Sequence, residues 1–218
     1  TTQVTALSTT QAQGLTTTQL NGLSAANLDA LDIGELSTTQ VSGLSTTSIG
    51  NLTTTQVTNL TSTQVARLTS SQIGALTSTE LQGLTTTQAN ALTAAQLGSL
   101  TTTVLNNLTT TQVTALSTTQ AQGLTTTQLN GLSTANLDAL DIGELSTTQV
   151  AGLNTTAVTN LTTTQVTNLT STQVARLTSS QIGALTSTEL QGLTTTQANA
   201  LTAAQLGSLT TTVLNNLT

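Results

Sequence analysis

Six acidic side chains are the residues of this chain whose type and spacing best fit a chemical task. They form two identical patterns with three-residue spacing: Asp29, Asp32 and Glu35, and Asp138, Asp141 and Glu144. Calcium prefers carboxylate oxygens, so these six residues are candidate calcium ligands. The alternative is structural, with the acids near helix N-termini, where negative charge is stabilised, and the segment correcting the phase of a superhelix. The spacing matches no EF-hand loop, and three carboxylates underfill a shell of about six to eight oxygens. We therefore favour the structural interpretation and predict no other cofactor.

Four of the side chains that often carry catalysis are absent from this sequence. Its 218 residues include no His, Cys, Tyr or Lys. General bases and activated nucleophiles are drawn largely from those residue types, and a Ser or Thr hydroxyl is a weak nucleophile without a neighbouring base. We therefore expect no catalytic site and no enzymatic activity.

The charge and hydropathy patterns exclude two further classes of partner. The net charge is −6, and Arg67 and Arg176 are the only cationic residues. Nucleic-acid binding calls for basic patches that neutralise phosphates, and a membrane-spanning helix needs a run of about 18 or more apolar residues. The sequence has neither feature, so it predicts no nucleic-acid partner and no membrane insertion.

An eight-residue repeat must position all of these side chains. Residues 52–59 show it well: Leu, three Thr, Gln, Val and two variable residues, after which Leu60 starts the next copy. Ser or Thr followed three residues later by Gln or Glu is the capping-box pattern of a helix start, and the flanking Leu and Val match the hydrophobic-staple pair. The capping pattern recurs in Thr53–Gln56, Thr61–Gln64, Thr69–Gln72 and Thr77–Glu80.

The position before each Leu is typical of a helix end. It is often Gly or Asn, as at Gly14 and Asn59, and both residues tolerate the left-handed conformation that closes many helices. Within the acidic segment, Asp32 and Glu35 also fit a capping box. Each octad thus contains a start and a stop signal, which predicts a separate helix of one to two turns.

The fold class predicted by this pattern is all-α, a solenoid or superhelix of very short helices with one helix per eight-residue repeat. A single octad buries too little apolar surface to order itself, whereas stacked octads share one core. The alternative is a β-solenoid with sixteen residues per coil, because Thr, Val and Ile favour strands. Against it, the Leu and the aliphatic residue are separated by odd spacings, which would place them on opposite faces of one strand.

A longer repeat organises the chain into two copies, residues 1–109 and 110–218, which differ at six positions. Each copy contains thirteen octads and one shortened unit of five residues, 32–36 in the first copy and 141–145 in the second. We expect one continuous solenoid, with neighbouring repeats as partners of each other, and we expect the chain to be a segment of a longer array.

The run Leu-Thr-Thr-Thr-Gln-Val at residues 52–57 and 161–166 resembles the octapeptide arrays of very large bacterial surface and secreted proteins, often described as adhesin-like. The resemblance implies a structural segment of an extracellular fibre, filament or adhesin stalk that self-associates. It also implies a location outside the bacterial cell or on its surface. The alternative function is surface recognition, in which regularly spaced Thr side chains bind ice or carbohydrate.

Overall fold

Short α-helices follow one another along the chain in a computed structural model, which describes residues 2–215 apart from the side chains of Thr212 and Val213. The chain divides into two compact units between Ala115 and Leu116. In the first unit the helices are α1 (Thr2–Thr5), α2 (Thr9–Gln13), α3 (Thr17–Asn21), α4 (Ala25–Asp29), a 3₁₀ helix (Ile33–Glu35), α5 (Thr38–Ser42), α6 (Thr46–Gly50), α7 (Thr54–Asn59), α8 (Ser62–Val65), α9 (Ser70–Ala75), α10 (Ser78–Gly83), α11 (Thr86–Ala91), α12 (Ala94–Ser99), α13 (Thr102–Leu105) and α14 (Thr110–Thr114).

The second unit repeats this order. Its elements are α15 (Thr118–Gly123), α16 (Thr126–Asn130), α17 (Thr134–Ala139), a second 3₁₀ helix (Ile142–Glu144), α18 (Thr147–Ala151), α19 (Thr155–Thr159), α20 (Thr163–Asn168), α21 (Ser171–Arg176), α22 (Ser179–Ala184), α23 (Ser187–Gln191), α24 (Thr195–Asn199), α25 (Ala203–Gly207) and α26 (Thr211–Asn215). Residues 2–215 contain no β-strand, so the all-α solenoid is confirmed and the β-solenoid alternative is wrong. Whether the whole chain is one continuous solenoid stays a prediction.

Side-chain capping starts the helices as the sequence predicts. The four predicted boxes are all present, each with its hydroxyl accepting from the N3 amide and its Gln or Glu side chain accepting from the cap amide. The cap residue itself is extended; for example, Thr53 has φ −75° and ψ 156°. Such caps satisfy amides that a very short helix otherwise leaves unpaired. Since helices of this length are unstable alone, the caps specify where helices start and tertiary packing keeps them folded.

The prediction that Gly and Asn end the helices in a left-handed conformation is wrong. No described residue has a positive φ; Gly43, for example, has φ −89° and ψ −3°. The helix ends because the next Leu turns extended, as Leu60 does with φ −59° and ψ 133°, while its amide donates to the Val57 carbonyl at 3.2 Å. Gly43 instead provides room, because a Cβ there would lie 2.5 Å from Cγ2 of Thr17 in another turn of the solenoid.

The core of each unit is formed by the two apolar positions of the octad. Leu52 and Val57 are both buried, and the same two positions are buried in most of the other octads. Packing joins each helix to the third one along the chain, as in α6 with α9, α7 with α10, and α19 with α22. Three octads therefore make about one turn of the solenoid, and successive turns cover each other's apolar side chains.

The five-residue unit replaces a whole helix of this pattern. Its 3₁₀ helix, Ile33–Glu35, packs against α2, three elements before it, and against α7, three elements after it. Leu31, Ile33 and Leu36 are all buried. The unit thus keeps the buried aliphatic residue and its Leu while omitting the residues that form an α-turn. A 3₁₀ turn is tighter than an α-turn, so it fills the place of one helix in the solenoid with fewer residues.

Candidate functional site

A row of buried glutamines connects successive turns of the solenoid and is the most regular polar feature of the molecule. We call it the glutamine ladder. In each member the side-chain amide nitrogen donates to backbone carbonyls of an earlier turn. The members are Gln40, Gln56, Gln64, Gln72, Gln88, Gln96 and Gln112 in the first unit and Gln149, Gln165, Gln173, Gln181, Gln197 and Gln205 in the second.

Gln72 shows the geometry of one rung. Its Oε1 accepts from the Thr69 amide at 2.7 Å, and its own amide donates to Thr69 Oγ1 at 3.2 Å. Its Nε2 donates to the carbonyls of Val41 at 3.1 Å and Leu44 at 2.8 Å. One side chain therefore caps its own helix and donates to carbonyls at the end of an earlier helix, although the Val41 carbonyl also accepts from the Leu44 amide. Because buried polar groups are costly when unpaired, each rung couples a helix start to a distant helix end.

Rungs that cross the five-residue unit keep this geometry with a shorter spacing. Elsewhere the Nε2 reaches carbonyls 31 and 28 residues earlier, as for Gln88 with Val57 and Leu60. Gln40 reaches Ala12 and Leu15, which are 28 and 25 residues earlier. The unit therefore removes three residues from one turn without changing which elements the rungs connect.

Asn21 and Asn130 take the place of a glutamine where the ladder position is Ser48 or Ala157. Asn21 Oδ1 accepts from the Ser45 cap amide at 2.7 Å, and its Nδ2 donates to the Gly43 carbonyl at 3.0 Å. Asn130 does the same with the Asn154 amide at 2.7 Å and the Gly152 carbonyl at 2.9 Å. The cap amide is thus satisfied from an earlier turn instead of from within its own octad.

Glu80 and Glu189 occupy the ladder position with a carboxylate. Each is at least nine-tenths buried, and its Oε2 accepts from the cap amide of Thr77 at 2.7 Å or Thr186 at 2.6 Å. A carboxylate has no N–H to donate, so these two rungs keep the capping half and lack the half that pairs with carbonyls.

Sequence reasoning assigned the glutamines to capping and missed their second role. The residue types found at the Gln position of the octads do indicate this second role. Glu and Gln both complete a capping box, yet the octads carry Glu in place of this Gln only at 80 and 189. A strong preference for the amide indicates that the side chain must donate as well as accept.

Four of the six candidate calcium ligands accept hydrogen bonds within the fold. Asp32 caps the 3₁₀ helix by accepting from the Gly34 amide at 3.0 Å, and Asp141 does the same with Gly143 at 2.9 Å. The carboxylates of Glu35 and Glu144 accept from hydroxyls of another turn, those of Thr9 and Thr118 respectively.

The predicted capping box of Asp32 and Glu35 is therefore wrong, although Asp32 does cap the helix. In the tight 3₁₀ turn the cap accepts from the second amide, and the Glu35 carboxylate instead accepts from Thr9. The expected location near helix N-termini is correct for Asp32 and Glu35 but wrong for Asp29, which ends α4.

The structure does not gather these acids into a metal cage. Among residues 2–215 no group of three or more His, Cys, Asp or Glu side chains is placed to hold an ion. Calcium binding by Asp29, Asp32, Glu35 and their counterparts stays a prediction from sequence.

Shallow grooves lined by hydroxyls lie between successive turns. One of about 500 Å³ is lined by Ser62, Thr63, Ala66, Arg67, Ala91 and Thr93. Arg176 lines another, of about 310 Å³, with Thr147, Thr148 and Ala151. Both arginines thus border hydroxyl-rich grooves on the surface of their own unit.

None of the helices in the described part of the chain has the length and apolar character required to span a membrane.

Comparison with known proteins finds one repeat family that matches part of the chain. Residues 25–62 and 65–102 each match the ALTTAQ repeat family. The array is similar to tandem ALTTAQ repeats. Both matches lie in the first sequence copy, and they support the interpretation of the chain as a tandem array. No curated protein matches this chain.

Proposed function

We propose that this chain is a structural segment of an extracellular bacterial fibre, filament or adhesin stalk, with no catalytic role. The glutamine ladder carries the proposal. Its rungs recur from Gln40 to Gln112 in the first unit and from Gln149 to Gln205 in the second, so each turn is hydrogen-bonded to an earlier one. A segment built in this way can gain length by adding identical turns, as solenoids do.

Two features of the composition support a role outside the cell. The absence of Cys leaves no thiol to oxidise in an oxidising environment, and the two Arg residues leave trypsin-like proteases few cleavage sites. The absence of His, Cys, Lys and Tyr supports the non-catalytic part of the proposal.

Surface labelling of the source bacterium tests the location. Antibodies raised against the 218-residue chain are expected to label intact cells, and immunogold electron microscopy is expected to place the label on filaments or stalks. Labelling that appears only after the cells are permeabilised would contradict the proposal. An antibody against a cytoplasmic protein serves as the control for cell integrity.

Surface recognition is the second candidate function, and the groove beside Arg67 favours it. Hydroxyls of Ser62, Thr63 and Thr93 border that groove with one cationic side chain, a combination suited to a sugar that carries a carboxylate. We expect an acidic glycan to bind the chain and an Arg67→Gln variant to lose that binding on a glycan array. Thermal hysteresis in freezing assays would instead indicate ice binding through Thr. If neither glycan binding nor thermal hysteresis is observed, only the structural role is supported.

A further inference from the structure

Several asparagines at helix ends make no hydrogen bond that explains their residue type. Four of them are exposed, and among residues 2–215 their side-chain amides have no partner: Asn51, Asn59, Asn160 and Asn168. Asn51, the C-cap of α6, has φ −94° and ψ −5°, so it does not adopt the left-handed conformation that favours Asn. Other octads carry Arg67, Ala75 or Gly83 at the same position. The fold therefore accepts several residue types there and does not require Asn.

Asparagines that the fold does use are recognised by their partners. Asn21 accepts from the Ser45 amide at 2.7 Å and donates to the Gly43 carbonyl at 3.0 Å. Asn154 caps α19 by accepting from the Ala157 amide at 2.7 Å. The four helix-end asparagines have no comparable hydrogen bonds within the described part of the chain, so their residue type calls for another explanation.

The residues that follow these four asparagines provide one. Each is followed by Leu and then Thr, which completes the Asn-X-Thr acceptor sequence of N-linked glycosylation. In the second octad of this kind, Asn59 and Thr61 are both exposed. The chain between them is extended, with φ −59° and ψ 133° at Leu60 and φ −69° and ψ 154° at Thr61. The acceptor amide and the hydroxyl residue thus lie at an exposed connection between two helices, where a bulky sugar can be accommodated.

We propose that Asn51, Asn59, Asn160 and Asn168 are sites of N-linked glycosylation. In the reaction the side-chain amide nitrogen forms a bond to the anomeric carbon of a sugar that is activated as a glycosyl diphosphate. The bond from that carbon to the diphosphate oxygen breaks, the diphosphate leaves with the electron pair, and the amide nitrogen loses one proton. Nothing is oxidised or reduced. The partner that this site requires is a transferase that uses such an activated sugar.

The helix cap determines when the sugar is attached. In the folded octad, Thr61 Oγ1 accepts from the Gln64 amide at 3.2 Å. A transferase that reads the same hydroxyl competes with this hydrogen bond, so the sugar is attached while the cap is open. Because the Asn59 side chain is exposed in the folded octad, the attached sugar then lies outside the core and leaves the packing intact.

The composition of the chain gives the modification a physical role. Charged residues make up only 5% of the sequence, whereas ordinary soluble proteins rely on charged side chains to keep their surfaces hydrated. Glycosylation adds a bulky and solubilising group at the surface. Sugars at the four asparagines would therefore hydrate an array that carries few charges. This inference goes beyond the proposed structural role and does not depend on the location of the chain.

Mass spectrometry of the chain purified from its source organism tests the proposal. We expect peptides with Asn59 to carry sugar on that residue. Peptides with Asn90 are expected to carry none, because Asn90 is also exposed but is followed by Ala and Leu. Asn59→Gln is expected to lose the sugar at that position and to keep the sugars at the other three. Asn90→Gln is the matched control and is expected to keep the complete sugar mass.

Two substitutions at Thr61 separate the acceptor sequence from the helix cap. Asp is a good N-cap residue but has no hydroxyl, so Thr61→Asp is expected to lose the sugar at Asn59 although that asparagine is still present. Thr61→Ser retains both the cap and the acceptor sequence and is expected to keep the sugar. Circular dichroism checks that each variant keeps its helical content.

A native chain in which all four asparagines are unmodified would overturn the proposal. So would sugar at Asn90 to the same extent as at Asn59, or sugar at Asn59 that persists in Thr61→Asp. These outcomes are distinct from a failure of the proposed function. A chain that labels at the cell surface without sugar removes only the glycosylation, whereas a glycosylated chain found only inside the cell removes only the extracellular role.

Discussion

At the scale of single residues, the glutamine ladder shows why an amide is better than an acid at this position. Gln72 accepts from one backbone amide and donates to carbonyls of another turn, and its hydrogen bonds to the Val41 and Leu44 carbonyls are buried. A carboxylate can accept from the backbone amide but cannot donate to the carbonyls. A capping box that contains Gln is therefore expected to stabilise the fold more than one that contains Glu, because only the Gln side chain carries a donor.

Replacing Glu80 with Gln is expected to stabilise the first unit. The substitution supplies a donor for the carbonyls of an earlier turn and removes a buried negative charge, so the free energy of unfolding is expected to rise by about 1–3 kcal/mol. Glu189→Gln is the matched variant in the second unit. Glu35→Gln is the control, because Glu35 is exposed and Gln can still accept from Thr9. Denaturant unfolding that shows no difference between Glu80→Gln and the control would contradict the dual role of the rung.

Calcium is expected to leave the stability of this protein unchanged. Asp32 and Glu35 already accept hydrogen bonds, and the acids form no cluster of three within residues 2–215. Thermal melting with calcium and with a chelator should therefore give the same midpoint. A calcium-dependent rise that is lost in an Asp29→Asn, Asp32→Asn variant would instead establish the site that the acidic spacing suggested.

At the scale of elements, close approach between turns decides where glycine is required. Gly34 lies in the first 3₁₀ helix, where an added Cβ would be 2.9 Å from the backbone carbonyl oxygen of Asn59 at the end of α7. Gly74 lies inside α9, where an added Cβ meets nothing within 4 Å. The two glycines look equivalent in the sequence and differ only through their neighbours in space.

Alanine substitutions at these two glycines are expected to have opposite signs. Gly34→Ala forces the 3₁₀ helix away from α7 and is expected to lower the free energy of unfolding by about 1–3 kcal/mol. Gly74→Ala is expected to raise it by up to about 1 kcal/mol, since Ala is the better helix former. Equal effects of the two substitutions in chemical denaturation would show that the close packing at Gly34 is not part of the folded state.

At the scale of the whole molecule, stability comes from neighbouring turns rather than from any single octad. Leu60 is buried in the core, and its carbonyl accepts from Gln88 at 2.7 Å in a later octad. A destabilising substitution in one octad should therefore also destabilise other octads of the same unit.

Leu60→Asp tests this shared core. Burying an unpaired carboxylate in place of a core leucine is expected to lower the free energy of unfolding by about 3 kcal/mol or more. Hydrogen exchange is expected to speed up around Gln88 as well as at residue 60. Thr63→Asp, an exposed position on the following helix, is the control. Loss of protection confined to residues beside 60 would contradict a shared core.

The fold class and the helix starts could be predicted because they depend on short-range chemistry. The capping pairs Thr53–Gln56 and Thr69–Gln72 lie within four residues of sequence, and so do the buried Val57 and Leu60. Local hydrogen bonds and apolar spacing are visible in a single octad.

What the sequence by itself determined was therefore one short capped helix per octad and a shared apolar core. Only the tertiary structure decided that Gln72 reaches Val41 and Leu44, that Asn21 serves the cap of Ser45, and that the Glu35 carboxylate accepts from Thr9 instead of closing its own box. These partners lie from 24 to 31 residues apart. Their meeting depends on how many helices make one turn of the solenoid, and no local pattern encodes that number.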